Sequence, residues 1–328
     1  RESSLPILKN FMIMRSKYKF PLFGLGTMGL LLLSATVSLA KPVTQGGATT
    51  HSVDIFQAAF LGLVQGITEF LPISSSAHLK VVPEALKWGD PGVAFTAIIQ
   101  LGSIAAVIWF FWKDIVTVIS GAFTAIQKKD YQSLEFQMAT GIILGTLPIV
   151  FFGLLIKKFV PGYDSSGFRS LSTIAFASIL MSILLGIAEK VGSRTRDLNK
   201  LTYMDGIWMG LGQCLALIPG CSRSGSTLTA GLFMGLERAA AARFSFLLGV
   251  PSITLAGISE LKSAMETGFS GVSAPALIVG TLSAAVFSYL SIAWLLKFLQ
   301  TNNTFIFIWY RLAFGVAILT AIKMGGLV

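Results

Sequence analysis

The chain is a succession of long apolar runs separated by short polar connectors. Many connectors are basic, for example at Lys128 and Lys129, at Lys157 and Lys158, and across 194–200. Cytoplasmic loops are usually rich in Lys and Arg. Because the basic residues here are spread over many connectors, this rule says little about which side of the membrane each connector faces. Six runs are long enough to cross a hydrocarbon layer of about 30 Å as helices: 94–112, 135–156, 170–188, 239–258, 273–299 and 304–322. The pattern predicts an all-α polytopic membrane protein folded as a helical bundle.

Two further apolar runs are interrupted. Residues 53–72 run into Pro72 and a cluster of serines, and residues 206–219 run into Pro219 and a second cluster of hydroxyl residues. Irregular backbone at membrane depth is tolerated only where it is buried in protein or lines a wet cavity. We therefore predict two re-entrant helix–loop–helix hairpins.

The two interrupted runs resemble each other at a nearly constant spacing. Gly62 and Gly210 are 148 residues apart, whereas Pro72 and Pro219, Ser75 and Ser222, and Leu101-Gly102 and Leu248-Gly249 are 147 apart. Repeats in membrane proteins are often inverted, with the functional site where the broken helices meet. We predict an inverted repeat with halves at about 53–188 and 202–325, its two hydroxyl-rich loops face to face.

The first fifty residues have a different pattern. Three basic residues within 15–19 precede an apolar stretch at 20–40 that ends Ser38-Leu39-Ala40. This order is typical of a cleaved secretory signal peptide, and an extra membrane anchor is the alternative, since about 20 apolar residues can also span a bilayer. After a polar linker, we expect one membrane-embedded domain over 51–328.

Composition agrees with a membrane protein. Charged residues make up 12% of the chain, about half the share in soluble domains. The net charge of +10 could suggest nucleic acid, but most Lys and Arg lie between apolar runs, where they contact lipid headgroups. We expect the bilayer as a partner and no nucleic acid. Cys214 and Cys221, the two cysteines, make no disulfide framework.

Ionisable residues inside a bilayer are costly, so each is a candidate functional residue. Glu69, His78 and Arg223 lie in or beside the interrupted runs. A lone hydroxyl in a membrane helix usually bonds its own backbone, and an isolated histidine is more often structural. Here, however, seven hydroxyl residues accompany the arginine in the two loops: Ser74, Ser75, Ser76, Ser222, Ser224, Ser226 and Thr227.

This set of side chains suits a phosphate group. The planar fork of Arg223 can bind two phosphate oxygens, and hydroxyls and helix N-termini supply further donors. Phosphoryl transfer also needs a nucleophile and proton handling. Ser75 or His78 could attack or position a water, and Glu69 could hold a divalent cation or orient His78.

The two motifs together resemble a known family. The runs QGITEFLPISSSAHL at 65–79 and PGCSRSGSTLTAG at 219–231, with WYRLAFG near the C-terminus, closely resemble the signatures of the undecaprenyl-diphosphate phosphatase, or bacitracin-resistance, family. The resemblance implies a bacterial inner-membrane hydrolase, multi-pass and with its site open to the extracytoplasmic side. Its substrate would be the C55 isoprenyl diphosphate, whose monophosphate product carries peptidoglycan precursors for cell-wall synthesis.

The resemblance also assigns roles. It places the catalytic residues on Glu69, Ser75 and His78, and we favour Ser75 as the nucleophile with His78 as general base, while attack by His78 stays open. The residues expected to bind phosphate are Ser74, Ser222, Arg223, Ser224, Thr227 and Arg311.

Gln65 departs from a common family pattern, in which a second Glu lies one helical turn before the first. A metal held by two carboxylates is therefore not expected. We expect a divalent cation, Mg²⁺ or Ca²⁺, to bind through Glu69 and the phosphates of the substrate.

Two other functions use similar sequence features. A transporter or flippase of a phosphorylated lipid or other anion would also have an inverted repeat with broken helices; the pairing of Ser75 with His78 favours an enzyme. An acid-phosphatase mechanism needs two histidines in the site, and the only other one is His51 in the linker. A second copy of the chain is a candidate partner in a homodimer.

Overall fold

The structure, a computed structural model, describes residues 53–160, 169–267 and 272–327. The predicted signal peptide or anchor, the linker and His51 lie outside these ranges. The described residues form eleven α-helices, with no β-strand among them beyond two isolated bridges. In chain order the helices are α1 Ile55–Phe70, α2 Ser75–Ala85, α3 Gly92–Phe110, α4 Trp112–Lys128, α5 Leu134–Phe159, α6 Leu171–Val191, α7 Tyr203–Gln213, α8 Arg223–Phe233, α9 Arg238–Thr267, α10 Ala274–Phe298 and α11 Phe305–Lys323.

The predicted membrane spans are confirmed. Five of the described helices, α5, α6, α9, α10 and α11, are long and apolar enough to cross a bilayer. Helices α3 and α4 form a sixth candidate, bent by 62° at their junction. The bundle leaves large apolar side chains exposed on its outer faces, such as Trp109, Phe151 and Trp309, as expected where a helix faces lipid rather than water. The chain is a multi-pass membrane protein.

The sequence pattern did not predict two of the helical segments. The sequence pattern predicted no element between 113 and 133, yet 112–128 is helical and exposes Val116, Ile119 and Phe123 on one face. Its apolar residues recur every three or four positions instead of forming one run, which is typical of an amphipathic helix. Likewise α9 continues nine residues beyond its predicted end at 258, because its last turns are polar but still helical.

Both predicted hairpins are present. Helix α1 begins at a capping box made by Asp54 and Gln57, and α2 returns beside it so that Trp88, just past α2, packs edge-on against Phe60 near the start of α1. In the second hairpin, Gly231 of α8 lies against the side chain of Met209 in α7. In each hairpin the two helices are therefore neighbours, as a helix–loop–helix hairpin requires.

Each hairpin packs against a span from the other predicted half. Gly62 of α1 lies so close to the backbone of Gly280 in α10 that a side chain would overlap it, and Gly210 of α7 lies in the same way against Gly145 in α5. Glycine allows this close approach because it has no Cβ. The spacing that aligned Gly62 with Gly210 in the sequence thus corresponds to two equivalent helix contacts with the halves exchanged, as an inverted repeat predicts.

The register of the two loops corrects one detail of the alignment. The sequence spacing paired Ser75 with Ser222, but Ser74 is the counterpart of Ser222, because each is the residue that precedes its helix and each has a positive φ. The second loop contains one more residue between its proline and its helix than the first. The offset of 148 residues that relates Gly62 to Gly210 therefore also relates the two serines.

Buried ion pairs join helix ends at the side of the bundle where α6 ends and α7 and α9 begin. Glu189 is bound by Arg238 and also accepts from Thr304, Asp205 pairs with Arg196, and Asp114 accepts two hydrogen bonds from Arg243. The hydrogen-bonded Asp205 carboxylate raises the pKa of Arg196, which lies in the connector after α6. Buried carboxylates are tolerated when paired in this way, and the pairs fix the ends of the helices that carry the second hairpin.

Candidate active site

The two hairpin loops meet in the interior of the bundle. The hydroxyl of Ser224, at the start of α8, donates to the carbonyl of Leu71 in the first loop at 3.0 Å. Phe70 and Phe246 pack edge-on beside this contact. The predicted convergence of the two hydroxyl-rich loops is therefore present, and it brings the ends of α1 and the starts of α2 and α8 together.

Arg311 of α11 connects the loops to each other. Its guanidinium is fully buried and donates to the carbonyls of Pro72 in the first loop at 3.0 Å and of Gly220 and Cys221 in the second at 2.7 and 3.1 Å. A fourth carbonyl, that of Ser178, lies 3.4 Å from its Nε. The structure thus places Arg311, expected from the sequence to contact phosphate, on backbone carbonyls of both loops.

Glu69 and Ser75 form a short polar contact in the site. Glu69 is in the last turn of α1 and Ser75 is the first residue of α2, so the short loop between the helices brings them together. The Ser75 hydroxyl donates to Glu69 Oε2 at 2.6 Å. A serine bonded to a carboxylate has a base in place for its proton, which is the arrangement of an activated nucleophile.

Arg223 faces the same carboxylate from the second loop. Its Nη2 lies 3.6 Å from Glu69 Oε1, and both side chains are only 10% exposed. Its Nε, Nη1 and Nη2 have no hydrogen-bond partner among the residues that the structure describes. Buried polar groups are nearly always paired, so a buried guanidinium with free donors has the properties expected of an anion-binding group.

Gly249 of α9 makes room for this guanidinium. A Cβ at that position would overlap Arg223 Nη1. On another side, the guanidinium lies 6.0 Å from the ring centre of Phe70. The position of the Arg223 guanidinium is therefore set by packing against Gly249 and the Phe70 ring rather than by hydrogen bonds.

His78 has different partners from those expected. Its Nδ1 lies 2.7 Å from the Ser74 carbonyl, its Nε2 lies 2.6 Å from Tyr310 Oη, and its ring stacks on Phe314 at 4.4 Å. Because a carbonyl only accepts, Nδ1 carries the proton and Nε2 of the neutral ring accepts from Tyr310. Ser75 donates to Glu69 and not to His78, so it is Glu69 that lies where a side chain could take the proton of the Ser75 hydroxyl.

The remaining hydroxyls mostly bond within the loops. Ser74 Oγ lies 3.2 Å from that of Ser76, and Ser222 Oγ accepts from the Gly225 amide at 3.1 Å. Thr227, which is fully buried, donates to the Arg223 carbonyl at 2.9 Å and contacts the Ser245 hydroxyl. These residues shape the two helix N-termini, where backbone N–H groups and the helix dipole favour an anion.

The side chains around Glu69 do not by themselves form a metal centre. Within 53–160, 169–267 and 272–327 no group of three His, Cys, Asp or Glu residues is placed to hold an ion. Gln65 presents its NH₂ to Glu69 Oε2 at 3.3 Å, and an amide NH₂ donates hydrogen bonds rather than binding a cation. Among the described side chains around Glu69, the ligand for a metal ion is thus a single carboxylate, which already faces Arg223.

Several residues of the site were not found from the sequence. Tyr310 lies in the WYRLAFG stretch beside Arg311, so the motif could have indicated it. Ser245 and Gly249 lie inside apolar spans. The repeat spacing aligned Gly249 with Gly102 but indicated no role for Gly249 in the site.

The chain matches the family described as bacitracin resistance protein BacA over residues 58–317. The chain belongs to that family. The motifs at 65–79 and 219–231 lie inside the matched range, so the resemblance inferred from them is confirmed.

Several known proteins are similar to the chain over most of its length. A protein from a Nostoc species is 62% identical over 91% of this chain and 93% of its own length, and one from a Synechocystis species is 64% identical over 88% and 91%. One from Gloeobacter violaceus is 53% identical over 84% and 94%. All three are named undecaprenyl-diphosphatase.

Proposed function

We propose that the chain is a membrane-bound hydrolase that converts undecaprenyl diphosphate to undecaprenyl phosphate and inorganic phosphate. Its family and the names of its relatives support this activity. The observation that carries the proposal is the Glu69 carboxylate, which accepts from the Ser75 hydroxyl on one oxygen and faces the free donors of Arg223 with the other. A nucleophile, a base and an anion-binding cation are therefore in contact.

In the proposed reaction Ser75 Oγ attacks the terminal phosphorus of the lipid diphosphate. Glu69 takes the hydroxyl proton as the Oγ–P bond forms, and the bond from phosphorus to the bridging oxygen breaks. Undecaprenyl phosphate leaves with that oxygen. Glu69 gives its proton to that oxygen and is ionised again. It then deprotonates a water, which attacks the phosphorus of the phosphoserine as the Oγ–P bond breaks. The water proton passes from Glu69 to Ser75 Oγ, and inorganic phosphate leaves. The same base thus serves both steps, as microscopic reversibility allows.

Arg223 binds the terminal phosphate in this reaction. Its forked donors match two phosphate oxygens, and such charge-assisted pairs are about twice as strong as neutral hydrogen bonds. Since a phosphoryl transition state spreads negative charge over the oxygens that do not react, an oriented cation stabilises it. The N-termini of α2 and α8 add backbone donors on the same side.

In this mechanism His78 supports the loop and does not take the reacting proton. Its bond to the Ser74 carbonyl fixes a residue with positive φ immediately before Ser75. Tyr310 keeps the ring in the tautomer that can donate to that carbonyl. His78 and Tyr310 thereby set the direction of the Ser75 side chain.

We propose that a divalent cation, Mg²⁺ or Ca²⁺, reaches the site with the diphosphate and contacts the protein through Glu69. Mg²⁺ commonly binds in this way, through one or two carboxylates and the phosphates of a substrate. None of the steps above depends on the cation.

The setting proposed for this activity is the bacterial inner membrane, with the site open to the extracytoplasmic side. Multi-pass helices and the family support a membrane location. There the monophosphate product would return to the pool of lipid carrier used for peptidoglycan synthesis, and its recycling would underlie resistance to bacitracin.

The test is phosphate release from undecaprenyl diphosphate by the detergent-purified chain. Wild type should release phosphate, while Ser75→Ala, Glu69→Ala and Arg223→Ala should lose at least roughly 100-fold in kcat. Ser76→Ala is the matched control, because Ser76 is the neighbouring hydroxyl, is exposed and bonds only Ser74 among the contacts found. Wild type without phosphate release, with lipid and Mg²⁺ supplied, would favour a transporter.

A further inference from the structure

A chain of buried hydroxyl and amide groups leads from two membrane helices to the Glu69 carboxylate. Ser288 of α10 donates to Ser103 of α3 at 2.8 Å, and Gln65 Nε2 of α1 lies 3.4 Å from Ser103 Oγ and 3.3 Å from Glu69 Oε2. Ser103 and Ser288 are completely buried, and Gln65 is 1% exposed. The chain ends on the carboxylate oxygen that accepts from Ser75.

These two serines bond differently from several hydroxyl residues in the spans. Thr146 and Thr254, for example, bond the carbonyl four residues earlier in their own helices, which is the usual arrangement. Ser103 and Ser288 instead bond each other across a helix contact. A hydroxyl in a membrane helix can donate its hydrogen bond to a carbonyl of its own helix and does not need a second serine. The hydrogen bond between Ser103 and Ser288 therefore serves a third polar group.

That group is the amide of Gln65. Ser288 donates its proton to Ser103, which leaves a lone pair of Ser103 to accept from Gln65 Nε2. Glu69 Oε2 is the acceptor for the second amide proton. With two acceptors on the nitrogen side, the amide keeps its NH₂, and not its carbonyl, towards the carboxylate.

A fixed NH₂ group has two effects on Glu69. It stabilises the ionised carboxylate by a charge-assisted hydrogen bond, and it holds Oε2 in line with the Ser75 hydroxyl. Both effects increase with rigidity, because a base accelerates proton transfer only when it is held at hydrogen-bond distance in the reacting geometry.

We infer that Ser103 and Ser288 are positioning residues for the phosphatase reaction: they hold the Gln65 amide against Glu69 so that Oε2 faces Ser75. The inference rests on the proposed function. It assigns a role in the chemistry to two residues on α3 and α10, neither of which touches the reacting atoms.

The test compares steady-state phosphate release by Ser103→Ala and Ser288→Ala with release by wild type. Each should lose about 10-fold in kcat, the effect of one weakened hydrogen bond to a charged group, with little change in KM. The matched control is Ser283→Ala. Ser283 also lies on α10 and donates to α1, at the carbonyl of Ala59, but has no link to Gln65 among the contacts found. Its kcat should remain within about twofold, the size of a small change in packing.

A double-mutant cycle separates positioning from support of the fold. In a Gln65→Met background the amide is absent, so Ser103→Ala should reduce kcat by less than about twofold further. An equal loss with and without Gln65, or a wild-type kcat in Ser103→Ala, would overturn the inference. If wild type itself released no phosphate, the proposed function would fail and the inference with it, so the two failures are distinguishable.

Discussion

Ser74 and Ser222, 148 residues apart in the chain, precede helices α2 and α8 with nearly the same backbone conformation. Their φ and ψ angles are 77° and 99° for Ser74 and 70° and 119° for Ser222. Each hydroxyl lies 3.2 Å from that of the serine two residues later. A residue other than glycine at positive φ costs about 1–3 kcal/mol and persists only where its surroundings hold it. Both loops therefore need support from outside, and Arg311 contacts both.

Replacing Arg311 by Lys should loosen both loops at once. The arginine donates to four carbonyls, and a lysine ammonium cannot reach all of them from one point. Each lost bond to a charged donor costs roughly 1.5–3 kcal/mol. We expect a lower thermal unfolding midpoint in detergent and a reduced kcat. Arg243→Lys is the control, because Arg243 binds the single carboxylate of Asp114. Equal midpoints for both variants would show that Arg311 does not support the loops.

Arg223→Lys should retain the charge but not the forked geometry. Since the guanidinium is held by packing against Gly249 and Phe70 rather than by hydrogen bonds, its donors remain available to phosphate oxygens. We expect kcat/KM for undecaprenyl diphosphate to fall about 100-fold, with an unchanged unfolding midpoint.

Gly249→Ala tests the same geometry without changing the cation. Its methyl group would displace Arg223 Nη1, so kcat/KM should also fall. Activity near wild type in both variants would mean that Arg223 does not bind the reacting phosphate.

The sequence predicted the polar groups of the site better than their pairing. Glu69, Ser75 and Arg223 stand out because ionisable and hydroxyl residues are rare in apolar runs, and the two loops that carry them were located from proline and serine clusters. Which partner each side chain takes depends on helix packing, and no spacing in the sequence encodes it. His78 is three residues from Ser75, one helical turn, yet its ring faces Tyr310, because α2 packs against α11 as well as against α1.

Ser103 and Gly249 illustrate the same limit for residues that support the site. Serine and glycine are common in membrane helices, so neither residue type marks a functional position within its span. Their roles follow from the helix that packs against them, α10 for Ser103 and α8 for Gly249.

Alanine at Gly62 or Gly210 should destabilise the bundle. In both places the added methyl group would overlap the backbone of a facing helix, and overpacking costs about 1–3 kcal/mol. Gly153→Ala is the control, because the nearest atom to a Cβ there is a side-chain carbon of Leu217 at 3.7 Å. We expect lower unfolding midpoints for the first two variants. The midpoint of the third should not decrease, because alanine there gains about 1 kcal/mol of helix propensity. Similar midpoints for all three would contradict the close packing.

Gln65→Glu should change how the enzyme responds to a divalent cation. In wild type the Gln65 NH₂ donates to Glu69, so the proposed divalent cation would have one carboxylate to bind. A second carboxylate would bring a like charge close to Glu69, and a cation bound between the two would relieve that repulsion. Because cation affinity rises with the number of charged ligands, the Mg²⁺ concentration at half-maximal phosphate release should fall roughly 10-fold. Activity without added cation should fall as well, since the carboxylate loses a donor. Gln57→Glu, outside the site on the same helix, is the control. A Mg²⁺ response identical to that of wild type would show that residue 65 does not face the cation.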